Sequence, residues 1–242
     1  MAGFKTHITT SSLLGVGYGT AALLYYDAPL PACILAGGLC GVSGMLPDLD
    51  SASGVPKRES IAFAAAVVPL LMAERFKRMG MPEEYIVLLG GFMYLFIRFG
   101  LAKMLTRFTV HRGMFHSLPA CLIAGELAFL ISGHESVWQR YFNGGAVMVG
   151  FMSHLILDEI WSLDFHGGRI RFKSSFGTAM KFWGETLGPN VLTYGMLAVF
   201  SFMSLEDPTV LNEISPATAQ QSDPASAATQ QVADQPGSSV VK

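Results

Sequence analysis

The sequence predicts an all-α, polytopic membrane protein of about 5–7 transmembrane helices with a disordered C-terminal tail. Three observations predict it. Hydrophobic residues make up 51% of the 242-residue chain and charged residues 14%, against roughly a quarter charged in soluble domains. Apolar runs approaching bilayer length recur from the first residues to about position 205. Beyond Ser204 the composition turns to Glu, Asp, Pro, Ala, Gln and Ser, too polar to bury a core. The boundaries are therefore a membrane-embedded domain over 1–205 and a tail over 206–242.

Taken in order, the candidate spans lie near 8–26, 29–46, 60–73, 84–102, 117–133, 144–163 and 190–205. The first continues past Tyr26 without a small-residue cleavage site, so it reads as a retained span and not a signal peptide. The second ends at Pro47. The Ala-rich 60–73 run is the weakest, short for a crossing, and is expected to cross or to pair with 84–102 as a hairpin. Ser117 and Pro119 open the fifth run, with Ser117 placed to cap it and Pro119 tolerated in its first turn. Glycines 15, 17, 19, 37, 38, 41 and 44 cluster in the first two spans, where small residues let membrane helices pack closely. Cys33, Cys40 and Cys121 all lie in apolar runs and read as small buried hydrophobes, not as thiolate ligands or a disulfide framework.

With seven spans and a cytoplasmic N-terminus, the inside segments carry Lys5, Lys57, Arg58, Lys103, Arg107, Arg112, Arg169, Arg171, Lys173 and Lys181. The outside loops carry Arg75, Lys77, Arg78 and Arg140, which satisfies the positive-inside bias. The predicted location is the bacterial inner membrane, multi-pass. The same topology brings His7, Asp48, Asp50, His111, His116, His154 and Asp158 to one membrane face, each at the edge of an apolar segment.

These residues are the candidate ligands. His154 and Asp158 stand one helical turn apart on one face and can reach one ion, although a hydrogen-bonded core histidine is an equal reading for His154 alone. His111 and His116 would splay by about 140° on a straight helix, so both point inward only if a loop enters a helix there. Asp48 and Asp50, in a turn after Pro47, can hold one metal, bridge two, or leave one as general base; a plain polar turn is the bland alternative. His7 alone is weak. Together, imidazoles and carboxylates make an N/O site suited to zinc, with manganese or magnesium as alternatives. Such an ion activates water at neutral pH. Arg112 is placed to hold an anionic oxygen, making Asp48, Asp50 and Arg112 the candidate catalytic groups. His166 and the run Arg169-Ile170-Arg171-Phe172-Lys173 lie just past Asp158 and could add a further ligand and a phosphate-facing patch, although the basic run reads first as membrane-surface anchoring. His134 falls in a loop at the opposite face.

Four pieces, His7, Leu46-Pro47-Asp48-Leu49-Asp50, His111 to Ser117 (HRGMFHS) and His154 to Asp158 (HLILD), together resemble the YdjM-type family of inner-membrane-associated, LexA-binding, metal-dependent hydrolases. The likeness covers roughly residues 1–190 and is specific only in combination. It implies a regulatory protein partner. The family is similar in turn to the helical zinc-dependent phospholipase C group, which implies hydrolysis of a phosphodiester or phospholipid; likeness of fold does not fix a reaction. The reading is a membrane hydrolase in which metal-activated water attacks an ester, a phosphoester or phospholipid foremost. Membrane lipids and a lipid or small-molecule ester are the expected partners, with no direct nucleic-acid binding. The rivals are an ion-binding transporter, which calls for ligands at mid-span depth, and a non-catalytic scaffold for a regulator.

Overall fold

A computed structural model describes residues 3–50, 54–101, 103, 114–166, 169–172, 177 and 179–214; for Asp50, 164–166, 169–172 and 212–214 it describes the backbone alone. The described elements are α1 (Phe4–Tyr25), α2 (Leu30–Ser43), a 3₁₀ turn (Leu46–Asp50), α3 (Val55–Arg78), α4 (Glu83–Leu95) continued by a π-helical segment (Phe96–Leu101), α5 (Leu118–Ile131), α6 (Val137–Trp161), strands β1 (Leu163–His166) and β2 (Arg169–Phe172), α7 (Leu187–Leu205) and α8 (Pro208–Ile214). The chain divides into two units, residues 1–204 and 205–242.

All seven expected apolar segments are helical. Local chemistry sets their ends. Ser117 caps α5, its Oγ accepting from the Ala120 N–H at 3.2 Å, with Pro119 in the first turn. Ser136 caps α6 in the same way. Arg75, Lys77 and Arg78 close α3 and Glu83 and Glu84 open α4, each matching the helix dipole. Between them Gly80 takes φ +75, which lets the chain reverse.

Helices α1, α2 and α6 form the core of the larger unit, with α5 against α6 and α3 against α4. The buried stripe of α1 is His7, Ser11, Gly15, Gly19 and Ala22, at a spacing of one turn. A side chain at Gly15 would collide with the Gly37 carbonyl, and one at Gly150 with the Cys40 carbonyl. The two contacts bring α2 against α1 and α6 with backbone nearly touching backbone. Five of the seven glycines expected to pack do so. Gly17 and Gly38 instead face open space. Cys33, Cys40 and Cys121 are buried and free.

Three boundaries need correction, and one short hairpin interrupts the otherwise helical fold: β1 and β2 pair antiparallel, Leu163 opposite Phe172. The signal was present as Gly167-Gly168 between two short alternating runs. Helix α6 begins seven residues before the expected 144, because its polar start is covered by α5. Arg140 is fully buried, its guanidinium 4.2 Å from the Phe129 ring centroid and its Nε donating to the Phe129 carbonyl. Helix α3 extends well beyond 60–73 at both ends. One described helical stretch, Glu83–Leu101, is long and apolar enough to cross a membrane, and only 6% of it is buried; α2 and α5 are apolar but shorter. In the segment expected as tail, residues 208–214 form α8, Asp207 accepting from the Thr209 N–H at its start; 215–242 lie outside the described residues.

Candidate metal centre

Five of the proposed ligands converge at one end of the helical core. His7 comes from the first turn of α1, Asp48 from the 3₁₀ turn after α2, His116 from just before α5, and His154 and Asp158 from the last turns of α6. His7 Nε2 lies 3.3 Å from Asp158 Oδ1. His154 Nε2 lies 3.5 Å from Asp158 Oδ2 and 3.7 Å from Asp48 Oδ1. His116 Nε2 lies 3.6 Å from Asp48 Oδ1 and 3.8 Å from Asp158 Oδ2. The rings of His7 and His154 stack at 3.6 Å.

Most of these separations are too long for hydrogen bonds. They suit donors around a shared cation: ligands about 2.1 Å from one ion at tetrahedral angles sit roughly 3.4 Å apart. The histidine chemistry agrees. Nδ1 of His154 is 2.7 Å from the Gly44 carbonyl. A carbonyl only accepts, so Nδ1 donates to it and Nε2 is the ring atom turned toward the carboxylates. That Nε2 and the Nε2 of His116 are buried and have no hydrogen-bond partner. A buried imidazole nitrogen facing two carboxylates without a hydrogen bond is satisfied when a proton or a metal ion stands between them. The Gly44 carbonyl thus does for His154 what outer-shell acceptors do for metal-bound histidines. The donors fall into two groups that share His154: His7, His154 and Asp158, and Asp48, His116 and His154. Either group could hold a metal ion.

The centre has a closed side and an open side. His7, His154 and Asp158 are almost wholly buried, whereas the Asp48 side chain is 25% exposed and that of His116 12%. Burial disfavours the ionised Asp48, but the facing imidazoles of His116, His154 and His7 outweigh it and hold its carboxyl below its ordinary 3.8.

His111 and Arg112 lie outside the described residues, and so does the Asp50 side chain. His166 is described only by its backbone in β1. His134 is exposed in the α5–α6 loop, as expected. Sequence reasoning missed Gly44, whose role is a backbone carbonyl and leaves no side-chain signal. It also missed Gly150, which seats α6 against α2 so that His154 reaches Gly44.

A family model described as YdjM inner membrane protein matches residues 1–172. The chain belongs to the YdjM inner membrane protein family. That match contains every residue of the convergent cluster. No curated protein and no solved structure matches the chain.

Proposed function

We propose that this YdjM-family protein is a multi-pass, metal-dependent hydrolase of the inner membrane that cleaves an ester, a phosphoester of a lipid foremost, at the cytoplasmic face. The observation that carries this reading is the pair of unpartnered Nε2 atoms, on His116 and His154, facing Asp48 and Asp158. His7, His116, His154, Asp48 and Asp158 would hold the ion, zinc first on the mixed N/O donor set, with manganese or magnesium as alternatives. A bound divalent ion supplies Lewis acidity and an activated water for ester hydrolysis.

The chain's own residues divide the remaining work. Asp158 and His7 fix the closed side, and the Gly44 carbonyl fixes the ring of His154. Asp48, ionised and partly exposed, is the carboxylate best placed to take a proton on the side from which substrate enters. Arg112 is the proposed anion-holding group and Asp50 an alternative base. Multi-pass insertion rests on the outward apolar faces of several helices, such as Leu13 and Val16 on α1, Val87 and Leu88 on α4, and Leu192 and Phe202 on α7. The ligands sit at helix ends, which favours surface chemistry over a transport path through mid-span.

Elemental analysis of detergent-purified protein beside a His116→Ala/Asp158→Ala double variant tests the reading. Near-stoichiometric metal in the wild type, lost in a variant that keeps its helical circular dichroism, supports it. Absence of metal from the wild type after reconstitution with zinc, manganese and magnesium overturns it.

A further inference from the structure

His116 stands in a turn before α5, so no helical ladder fixes its place. One hold on that turn is local: the Ser117 Oγ donates to the Met114 carbonyl at 2.5 Å and accepts from the Ala120 N–H. A second hold comes from far along the chain. The Leu118 N–H donates to the Lys181 carbonyl at 3.2 Å, and Ser117 and Lys181 form a parallel bridge. A little further on, Gly184 lies against Met114: a Cβ there would stand 3.1 Å from the Met114 Sδ. Gly184 is itself gripped by Asn190 of α7. Its N–H donates to Asn190 Oδ1 at 2.7 Å, and Asn190 Nδ2 donates back to its carbonyl at 2.9 Å. Among the described residues of α7, Asn190 alone is buried. A buried amide needs partners, and this one takes both from the glycine that touches the His116 turn.

We propose that Asn190 is a positioning residue for His116, so that a segment beyond the family-matched residues 1–172 completes the centre. The inference rests on the reading of His116 as a metal ligand. The plain alternative is that Asn190 only ties the start of α7 to the loop before it. Geometry favours the longer reach. The Cβ position of Gly184 lies 3.1 Å from Asn190 Oδ1 and 3.1 Å from Met114 Sδ, so the clamp on Gly184 bears directly on the side chain two residues before His116. Met114 is buried, and a close-packed interior passes such a shift on. His116 is also the ring with the looser lateral support. It meets His154 edge-on at 5.4 Å, whereas His7 and His154 stack at 3.6 Å. Its place at the open side of the centre therefore depends on its turn.

Histidine-labelled NMR and Co2+ titration of the full-length protein in detergent test the proposal. The His116 imidazole signal, identified by its absence from His116→Ala, should move in metal-free Asn190→Ala. Asn143→Ala removes another buried amide, at the opposite end of α6, and should leave that signal in place. Co2+ affinity should fall about tenfold in Asn190→Ala, in the range of outer-shell changes, with an altered visible absorption band. It should keep its wild-type value in Asn143→Ala. In a His116→Ala background Asn190→Ala should add no further loss, since its effect runs through that ring. Gly184→Ala, which presses on Met114 with Asn190 intact, should move the same signal, and it serves in place of Asn190→Ala if that variant does not fold. An unmoved His116 signal, or a full additional loss in the double variant, overturns the positioning role. A His116 signal that answers to Asn190→Ala in a protein that binds no Co2+ sinks the metal reading and leaves the positioning role standing.

Discussion

Helices α1, α2 and α6 and the pair α3–α4 are built on opposite plans. In the first group the closest contacts run through glycine and serine, and the groups buried at its end are imidazoles and carboxylates. In α4 no residue from Glu83 to Leu95 is buried, and Tyr85, Val87, Leu88, Phe92 and Leu95 point outward. A soluble protein would place these the other way round. The difference teaches that the usual inside-outside pattern is reversed for a physical reason. In the membrane insertion proposed above, apolar area would give little driving force between helices, so backbone proximity and polar contacts would do the holding while large apolar side chains met hydrocarbon.

The contrast can be broken in several places. Gly150→Leu should do the most damage, since its Cβ alone would run into the Cys40 carbonyl. We expect a loss of at least about 3 kcal/mol, read by denaturant titration in detergent, with metal content lost as well. Asp158→Ala should leave the helices folded but reduce bound metal to near zero; the loss of ligand-linked stabilisation, about 2.7 kcal/mol at a hundred-fold excess over Kd, is measured as a melting shift with and without metal.

Gly44→Ala sharpens the comparison, because it changes no ligand. The added methyl would meet the Ser11 side chain and push the Gly44 carbonyl away from His154. A 10- to 100-fold loss of metal affinity is expected, in the range of other outer-shell changes, and competition with a chelator measures it. Metal affinity should also fall as pH falls, because imidazole and carboxylate ligands must be free of protons. Asp48, held below its ordinary 3.8, keeps its charge until strongly acid pH, so Asp48→Asn should lower affinity without moving the pH at which binding is lost. The smallest effect belongs to α4, where Leu88→Ala, outward-facing, should change stability by no more than about 0.5 kcal/mol and metal content not at all.

Much of the centre was legible in sequence. His154 and Asp158 share a helix face by their spacing, and Ser117 had to precede a helix, which put His116 outside it. His7 was weak in sequence because nothing near it in the chain marks it; its partner Asp158 arrives from α6. The polar start of α6 was read as a loop because Gln139, Arg140 and Asn143 look solvated until Phe129 and Ser132 are brought over them.

What the sequence determined by itself is local: seven helical segments, their caps, and the residues able to bind a metal. These follow from periodicity, proline and serine placement, and side-chain chemistry, which act within a few residues. Only the tertiary structure decided that five ligands from four separate segments meet at contact distance, that the His154 Nε2 is buried without a hydrogen-bond partner, and that Asp48 is partly exposed while Asp158 is not. Each of these depends on backbone meeting backbone, Gly15 on Gly37 and Gly150 on Cys40, and no spacing along one chain segment can encode where another segment's carbonyl will lie.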